Sequence, residues 1–201
     1  MLKKYMVIPI LCIVIISGFL ISGITMQKSI AKKVVRLHII PNSNSVFDQN
    51  LKLQVRDKIV EYLSPKLCNS NSIEESKIII ANNLENIKQL SKEITSQYSD
   101  YEINVSLGKS KFPTKTYENY SFPAGTYDAL RITIGEGAGN NWWCVMFPPL
   151  CFTDSSVGAF SENSEEILEN SLSKEELSTI KNSKKPEVQI KFKLLEWWNS
   201  K

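Results

Sequence analysis

The sequence predicts a single α+β domain with a mixed or antiparallel sheet and two long helices, preceded by an N-terminal hydrophobic helix. Three observations carry this. An uncharged apolar run from Tyr5 to Ile24 follows Lys3 and Lys4. Beyond it, segments of helical period lie between segments in which apolar and polar residues alternate. The 201 residues, less that leader, have the length of one domain. The expected organisation is a signal peptide or membrane anchor over 1–26, a polar connector over 27–33 and an α+β domain over 34–198.

Roughly 20 apolar residues in helical form span the core of a bilayer, about 30 Å. The leader therefore reads as a cleaved signal peptide or an uncleaved anchor. Ser22 and Gly23 permit cleavage after Gly23 or Thr25, whereas the long apolar run and the lack of an A-x-A site favour retention. The two lysines before the run put the body on the far side of the membrane.

Val35, Leu37 and Ile39 alternate with Arg36 and His38, which predicts a strand over 34–40 ended by Pro41-Asn42-Ser43-Asn44. Ser45 is a candidate N-cap for a helix whose stripe is Phe47, Leu51, Val55, Ile59, Tyr62 and Leu63, with Pro65 as its stop. Ser72-x-x-Glu75 opens a second helix with Ile80, Leu84, Ile87, Ile94 and Tyr98 on its buried face. Ile103, Val105 and Leu107 then alternate as a strand, and Lys109 to Tyr120 reads as a polar loop. A hairpin is expected from a strand over Thr126–Ile134, the turn Gly135 to Asn140, and a partner strand over Trp142–Phe147. Thr153 to Glu169 is polar enough to stay solvated. Ser173-x-x-Glu176 starts a short helix, Val188, Ile190 and Phe192 alternate like a strand, and Leu194 to Trp198 either extends it or turns helical.

Composition restricts function. Beyond residue 26 the chain has 22 Lys and Arg against 21 Asp and Glu. Such a near-neutral body has no electrostatic reason to bind nucleic acid or anionic lipid. Cys144 and Cys151 flank Pro148-Pro149 and read either as a disulfide, if the prolines turn the chain back, or as two small buried hydrophobes. With one distant His they form no zinc set, and no cofactor is expected. His38 is the only histidine; without a nucleophile elbow it reads as a satisfied polar residue rather than a catalyst. Gly135, Gly137 and Gly139 lack the following helix and the Lys-Ser or Lys-Thr of a phosphate loop, so the turn reading is preferred. Asp128, Glu136 and Asp154 are the carboxylates nearest to a glycosidase pair, and nothing in their spacing fixes the separation such a pair needs. Trp142 and Trp143 must point to opposite faces of a strand. One ring of the pair can then anchor a partner, unless both pack in cores.

Three blocks resemble a known family. One runs Arg36-Leu37-His38-Ile39-Ile40-Pro41-Asn42-Ser43-Asn44-Ser45, then Asp48-Gln49 and Leu51-Lys52-Leu53-x-Val55-Arg56-Asp57. Another comprises Phe112-Pro113-Thr114-Lys115-Thr116-Tyr117 and Pro123-Ala124-Gly125-x-Tyr127-x-Ala129-Leu130-Arg131. The third is Gly135-Glu136-Gly137-x-Gly139-x-Asn141-Trp142-Trp143-Cys144-Val145-Met146-Phe147-Pro148-Pro149-Leu150-Cys151-Phe152. Lys191 to Trp198 fits as well. Together they resemble the stage II sporulation protein R family of endospore-forming bacteria, with Asn44 standing where Asp is expected and Pro41 where a small residue is usual.

The resemblance implies a signal and not an enzyme: a protein made in the forespore and exported into the space between the forespore and mother-cell membranes. Its implied partner there is a membrane-embedded aspartic protease that processes the precursor of the mother-cell factor sigma-E. The family's description as secreted favours cleavage of the leader. No contact residues carry over, so the partner surface is placed on Glu136, Trp142, Trp143, Phe147 and Phe152, where Gly, Trp and Pro concentrate. The alternative is a membrane-anchored cell-wall enzyme or wall-binding protein of the spore envelope.

Overall fold

The strand predicted by Val35, Leu37 and Ile39 is β1 (Val35–Ile40), and it lies inside the sheet. The computed structural model describes residues 2–70, 72–117, 119–151 and 162–181, side chains of 2–12, 14, 16, 19, 20 and 162–165 excepted. Its main sheet also contains β2 (Ile103–Phe112), β5 (Gly125–Ile134) and β6 (Trp142–Phe147), in the order β2-β5-β1-β6. β1 runs parallel to β5 and antiparallel to β6, and β2 is antiparallel to β5. The fold is thus a single α+β domain with a mixed sheet.

The expected hairpin is not formed, because β5 and β6 lie on opposite sides of β1. Five of the six β1 residues are buried, on both faces, as in a central strand. Residues 135–141 form a loop long enough to cross the roughly 10 Å between strands two places apart, so nearness in sequence does not impose pairing.

One face of the sheet carries α2 (Val46–Leu67), α3 (Ile73–Asn82) and α4 (Leu84–Thr95). Val35, Leu37, Ile39, Leu130, Ile132, Ile134 and Met146 pack there against Val55, Ile59, Leu63, Leu67, Ile80 and Ile87. Ser45 caps α2, its Oγ accepting from the Asp48 amide at 3.0 Å. Pro65 does not stop this helix: it continues to Leu67, where burial of both Leu63 and Leu67 holds the last turn on the core. The second predicted helix begins on its Ser72 cap but breaks at Asn83. There the side chain donates to the Ile79 carbonyl (2.7 Å) and accepts from the Tyr62 hydroxyl (2.6 Å), competing with helical bonding. Tyr98 falls beyond α4 and stays exposed.

Among the described residues, the opposite face is covered only near the Val35 end. Its covering elements are the end of α1 (Leu2–Ala31), the ribbon β3 (Lys115–Tyr117) and β4 (Tyr120–Phe122), α5 (Glu162–Ser171) and α6 (Lys174–Lys181). Ile30, Val34, Phe112, Tyr127, Ala129, Val145, Leu168, Leu172 and Ile180 form a second core there. Three expectations are corrected on this side. The polar loop over 109–120 is the end of β2 plus the ribbon, because β2 pairs with β5 as far as Phe112 opposite Gly125. The connector over 27–33 is structured: α1 reaches Ala31, Ile30 is buried, and Ser29 (2.5 Å) and Lys33 (2.6 Å) both bond Glu176. The solvated segment over 153–169 is helical from Glu162, since Leu168 is buried.

The α6 capping box forms in both directions: Ser173 Oγ accepts from the Glu176 amide (3.2 Å), and Glu176 accepts from the Ser173 amide (2.7 Å). The strand expected at Val188–Phe192, the pair Trp197-Trp198, and Phe152 and Asp154 lie outside the described residues. Among the described residues no helix is long and apolar enough to cross a membrane; most of the run from Tyr5 to Ile24 belongs to the part of α1 without described side chains.

Candidate functional site

Two loops interlock where β1 and β5 end. The first, Pro41 to Asn44, joins β1 to α2, and the second, residues 135–141, passes over it. Asn42 sits between them with both side-chain polar atoms used. Its Nδ2 donates to Asp48 (3.1 Å) and to the Tyr101 hydroxyl (3.2 Å), and its Oδ1 accepts from the Glu136 amide (3.0 Å). Backbone bonds run from Ala138 N to the Asn42 carbonyl and from Gly139 N to the Pro41 carbonyl, both 3.1 Å. Asn44 Oδ1 accepts from the Asn140 amide at 2.6 Å, a task that needs an oxygen and not a charge. Asn44 therefore substitutes for the expected Asp without loss of this contact.

Gly135 (φ 57°) and Gly137 (φ 65°) take the left-handed conformation that glycine adopts at no steric cost. The amides of residues 136, 138, 139 and 140 are all consumed by the first loop. Four donors that would face an anion in a phosphate loop thus have partners already, and this segment is a structural turn. Asp48 beneath it is buried. Burial pushes its carboxyl up, but hydrogen bonds from Ser43, Asn42, Tyr101 and Ser45 outweigh that and hold it below the usual range. Lys52 completes the junction, donating to the Asn140 carbonyl (2.9 Å) and Gln49 (2.6 Å).

The tryptophan pair straddles the sheet as its spacing requires. Trp142 lies half-buried on the α2 side, with the Arg56 guanidinium 4.3 Å from its ring centroid. Trp143 lies half-buried on the other face, stacked on His38 with centroids 3.8 Å apart and 4.8 Å from Phe112. Phe147 is buried, so it is a core residue and not a contact residue. Glu136 is exposed on the crossing loop. Cys144 and Cys151 are disulfide-bonded, with Cα atoms 5.6 Å apart, and Cys68 is free. The bridge returns the chain along β6, where Cys151 N donates to the Val145 carbonyl (2.9 Å) and the Tyr117 hydroxyl to the Trp143 carbonyl (3.1 Å). These bonds occupy acceptors that an edge strand would otherwise offer to another chain.

Two carboxylates considered for hydrolysis are far apart. Asp128, opposite Val35, is held by Lys77 (2.6 Å) and Lys109 (2.9 Å), and Glu136 lies past the other end of β5. Eight residues of extended chain separate them by about 25 Å, several times a glycosidase spacing.

His38 is buried beside Trp143, and neither ring nitrogen has a partner. Burial, with repulsion from Arg131 and Arg36, lowers its pKa from 6.5 to about 4. The folded protein thus holds it neutral, while the unfolded chain protonates it below about pH 6.5. Its contribution to stability is complete above that value and is lost as the pH falls from 6.5 towards 4, by about 3 kcal/mol. Urea unfolding of wild type and His38→Phe across this range should show the wild type losing more stability on acidification; parallel curves would refute the assignment.

A family model for stage II sporulation protein R matches residues 31–157, which span β1 to β6 and both interlocked loops. The chain belongs to the stage II sporulation protein R family. Stage II sporulation protein R of Bacillus subtilis (strain 168) is similar over nearly its whole length: 36% identical over 218 residues, covering 98% of this chain and 97% of that protein. No solved structure matches. Membership of the stage II sporulation protein R family places the chain in sporulation signalling. The segments that lock the loops, Pro41 to Asn44 and Gly135 to Asn140, both lie inside the region that the family model matches.

Sequence reasoning missed Asn42 as the hub, and the open sheet face that Ile40 and Arg131 share with Trp143. Beyond the second core, towards Ile40, the sheet face is open: Asn104, Ser106, Gly108 and Arg131 are exposed, and Ile40, Thr133 and Trp143 are half-exposed. The signal for this was the polar alternation of 104–110, which marks a face that no described residue covers.

Proposed function

We propose that the chain is an exported intercompartmental signal that activates a membrane-embedded aspartic protease, which then processes the mother-cell sigma-E precursor. Family membership over 98% of the chain carries this reading. It acts from the space between the forespore and mother-cell membranes, delivered there by the leader. A signal shifts its receptor only by binding the active state more tightly than the inactive one, so it needs a rigid surface and no catalytic group of its own. The locked loops and the disulfide supply that rigidity. The partner surface includes Trp143 and Glu136, with Trp142 supporting from the α2 side.

Co-expression of this protein, the protease and the sigma precursor in a non-sporulating host tests the reading. Cleavage of the precursor is expected only when all three are present. Trp143→Ala, which deletes a half-exposed ring, is expected to lower cleavage at least about tenfold, the scale of an interface anchor. Equal cleavage with and without this protein would end the proposal.

A further inference from the structure

Among the described residues outside α1, four large apolar side chains stand well exposed: Val46 (79%), Phe47 (45%), Ile78 (60%) and Tyr98 (55%). Three of them share one end of the domain. Val46 and Phe47 open α2 directly after the Pro41–Asn44 loop, and the Phe47 and Tyr98 rings meet edge to face with centroids 6.0 Å apart. Local helix chemistry does not call for them. A hydrophobic staple would use positions 44 and 49, which are Asn and Gln here. Acidic residues surround the group. Asp100, Glu102 and Glu136 are exposed, and none is in an ion pair with another described residue. They are contiguous with it: Gly135 N donates to the Glu102 carbonyl (2.9 Å), and Asn42 ties the Glu136 amide to Asp48 and Tyr101.

The place of this end in the fold matters as much. α1 ends at Ala31, just before β1 starts at Val35, whereas the exposed group follows the far end of β1 at Ile40. Six strand residues separate the two ends by about 20 Å. The group therefore lies at the end of the domain opposite the point where the leader joins it.

We infer that this distal tip is the receptor contact: Val46, Phe47 and Tyr98 form an apolar knob, and Asp100, Glu102 and Glu136 form its acidic rim. The partner is a protein that offers an apolar socket edged by Lys or Arg, reached across the intermembrane space. An apolar centre inside a charged rim is the usual arrangement of an interface anchor, and opposite charges on the rim set orientation and association rate. This assignment rests on the proposed function and specifies where the receptor binds.

Val46→Asp is a clean probe. The side chain packs against little, and an acidic residue in the first turn of a helix favours the helix. Ile78→Asp is the control, since Ile78 neighbours Lys77, which holds Asp128 at the opposite end of the sheet. In the three-component host, Val46→Asp and Glu136→Lys should each lower precursor cleavage at least about tenfold, while Ile78→Asp cleaves as wild type. A benzophenone amino acid at position 46 should crosslink to the protease, and one at 78 should not. Wild-type cleavage by both tip variants overturns the tip, and with it Glu136 as a contact, and leaves the signalling role itself standing. Crosslinks from position 46 only to a second copy of the chain, or only to lipid, also overturn it. Absence of cleavage with the wild-type protein overturns the function and the tip together.

Discussion

Gly139→Val is expected to destabilise the domain by about 3–5 kcal/mol: overpacking of about 1–3, plus two backbone hydrogen bonds at roughly 1 each. A Cβ at this position would run into the Ser43 carbonyl and the Pro41 ring. The obstruction is mainly backbone, so no rotamer change relieves it. The loops must separate, which breaks the bonds from Gly139 to Pro41 and from Ala138 to Asn42. Urea unfolding of the protein measures the loss. Gly108→Ala is the comparison, because a Cβ there meets nothing within 4 Å. Equal unfolding midpoints for Gly139→Val and wild type would mean that the loops are not locked. The same substitution should abolish signalling by displacing Glu136 and the start of α2.

Arg36→Ala is expected to cost about 4 kcal/mol, and Arg36→Met within about 1 kcal/mol of none. Arg36 is fully buried in the second core, with no ion pair to a described carboxylate. Its guanidinium carbon lies 4.1 Å from the Phe112 centroid and 4.9 Å from that of Tyr127. Nη2 donates to the Tyr117 hydroxyl at 2.8 Å, Nε reaches the Cys144 carbonyl only at 3.5 Å, and Nη1 has no partner. Burial lowers its pKa against the opposing influence of Tyr117. Ring faces and two hydrogen bonds offset part of the desolvation, so the main contribution is the volume it fills, which methionine supplies and alanine does not. If methionine proves as damaging as alanine, the charge itself is required, and the aromatic cage is a functional feature rather than a packing one.

What could be read from the residues was local. Ser45, Ser72 and Ser173 start helices because a cap is decided within three residues. β1 and β5 showed themselves by period-two alternation, and the same period placed Trp142 and Trp143 on opposite faces. What could not be read depends on distant partners. Whether residues 135–141 close a hairpin or cross a strand is decided by β1, far earlier in the chain. The extension of β2 to Phe112 depends on β5, and the run of α2 past Pro65 depends on the burial of Leu67. At the candidate site, the Pro-Asn-Ser-Asn and Gly-x-Gly-x-Gly segments each announced a turn. Only their contact through Asn42 explains why both occur. Phe147 was misplaced because an aromatic in a strand looks the same from sequence whether it faces core or solvent.

The sheet order also dictates a timetable. β1 is the first strand of the domain to be synthesised, yet both of its neighbours, β5 and β6, are the last of the described strands to follow. Until Phe147 has emerged, β1 has a vacant lane on at least one side and the central hydrogen bonds cannot all form. Contacts this distant in sequence close slowly. A chain ordered in this way cannot close its central sheet from the leading end, and takes its final shape only once β6 is available.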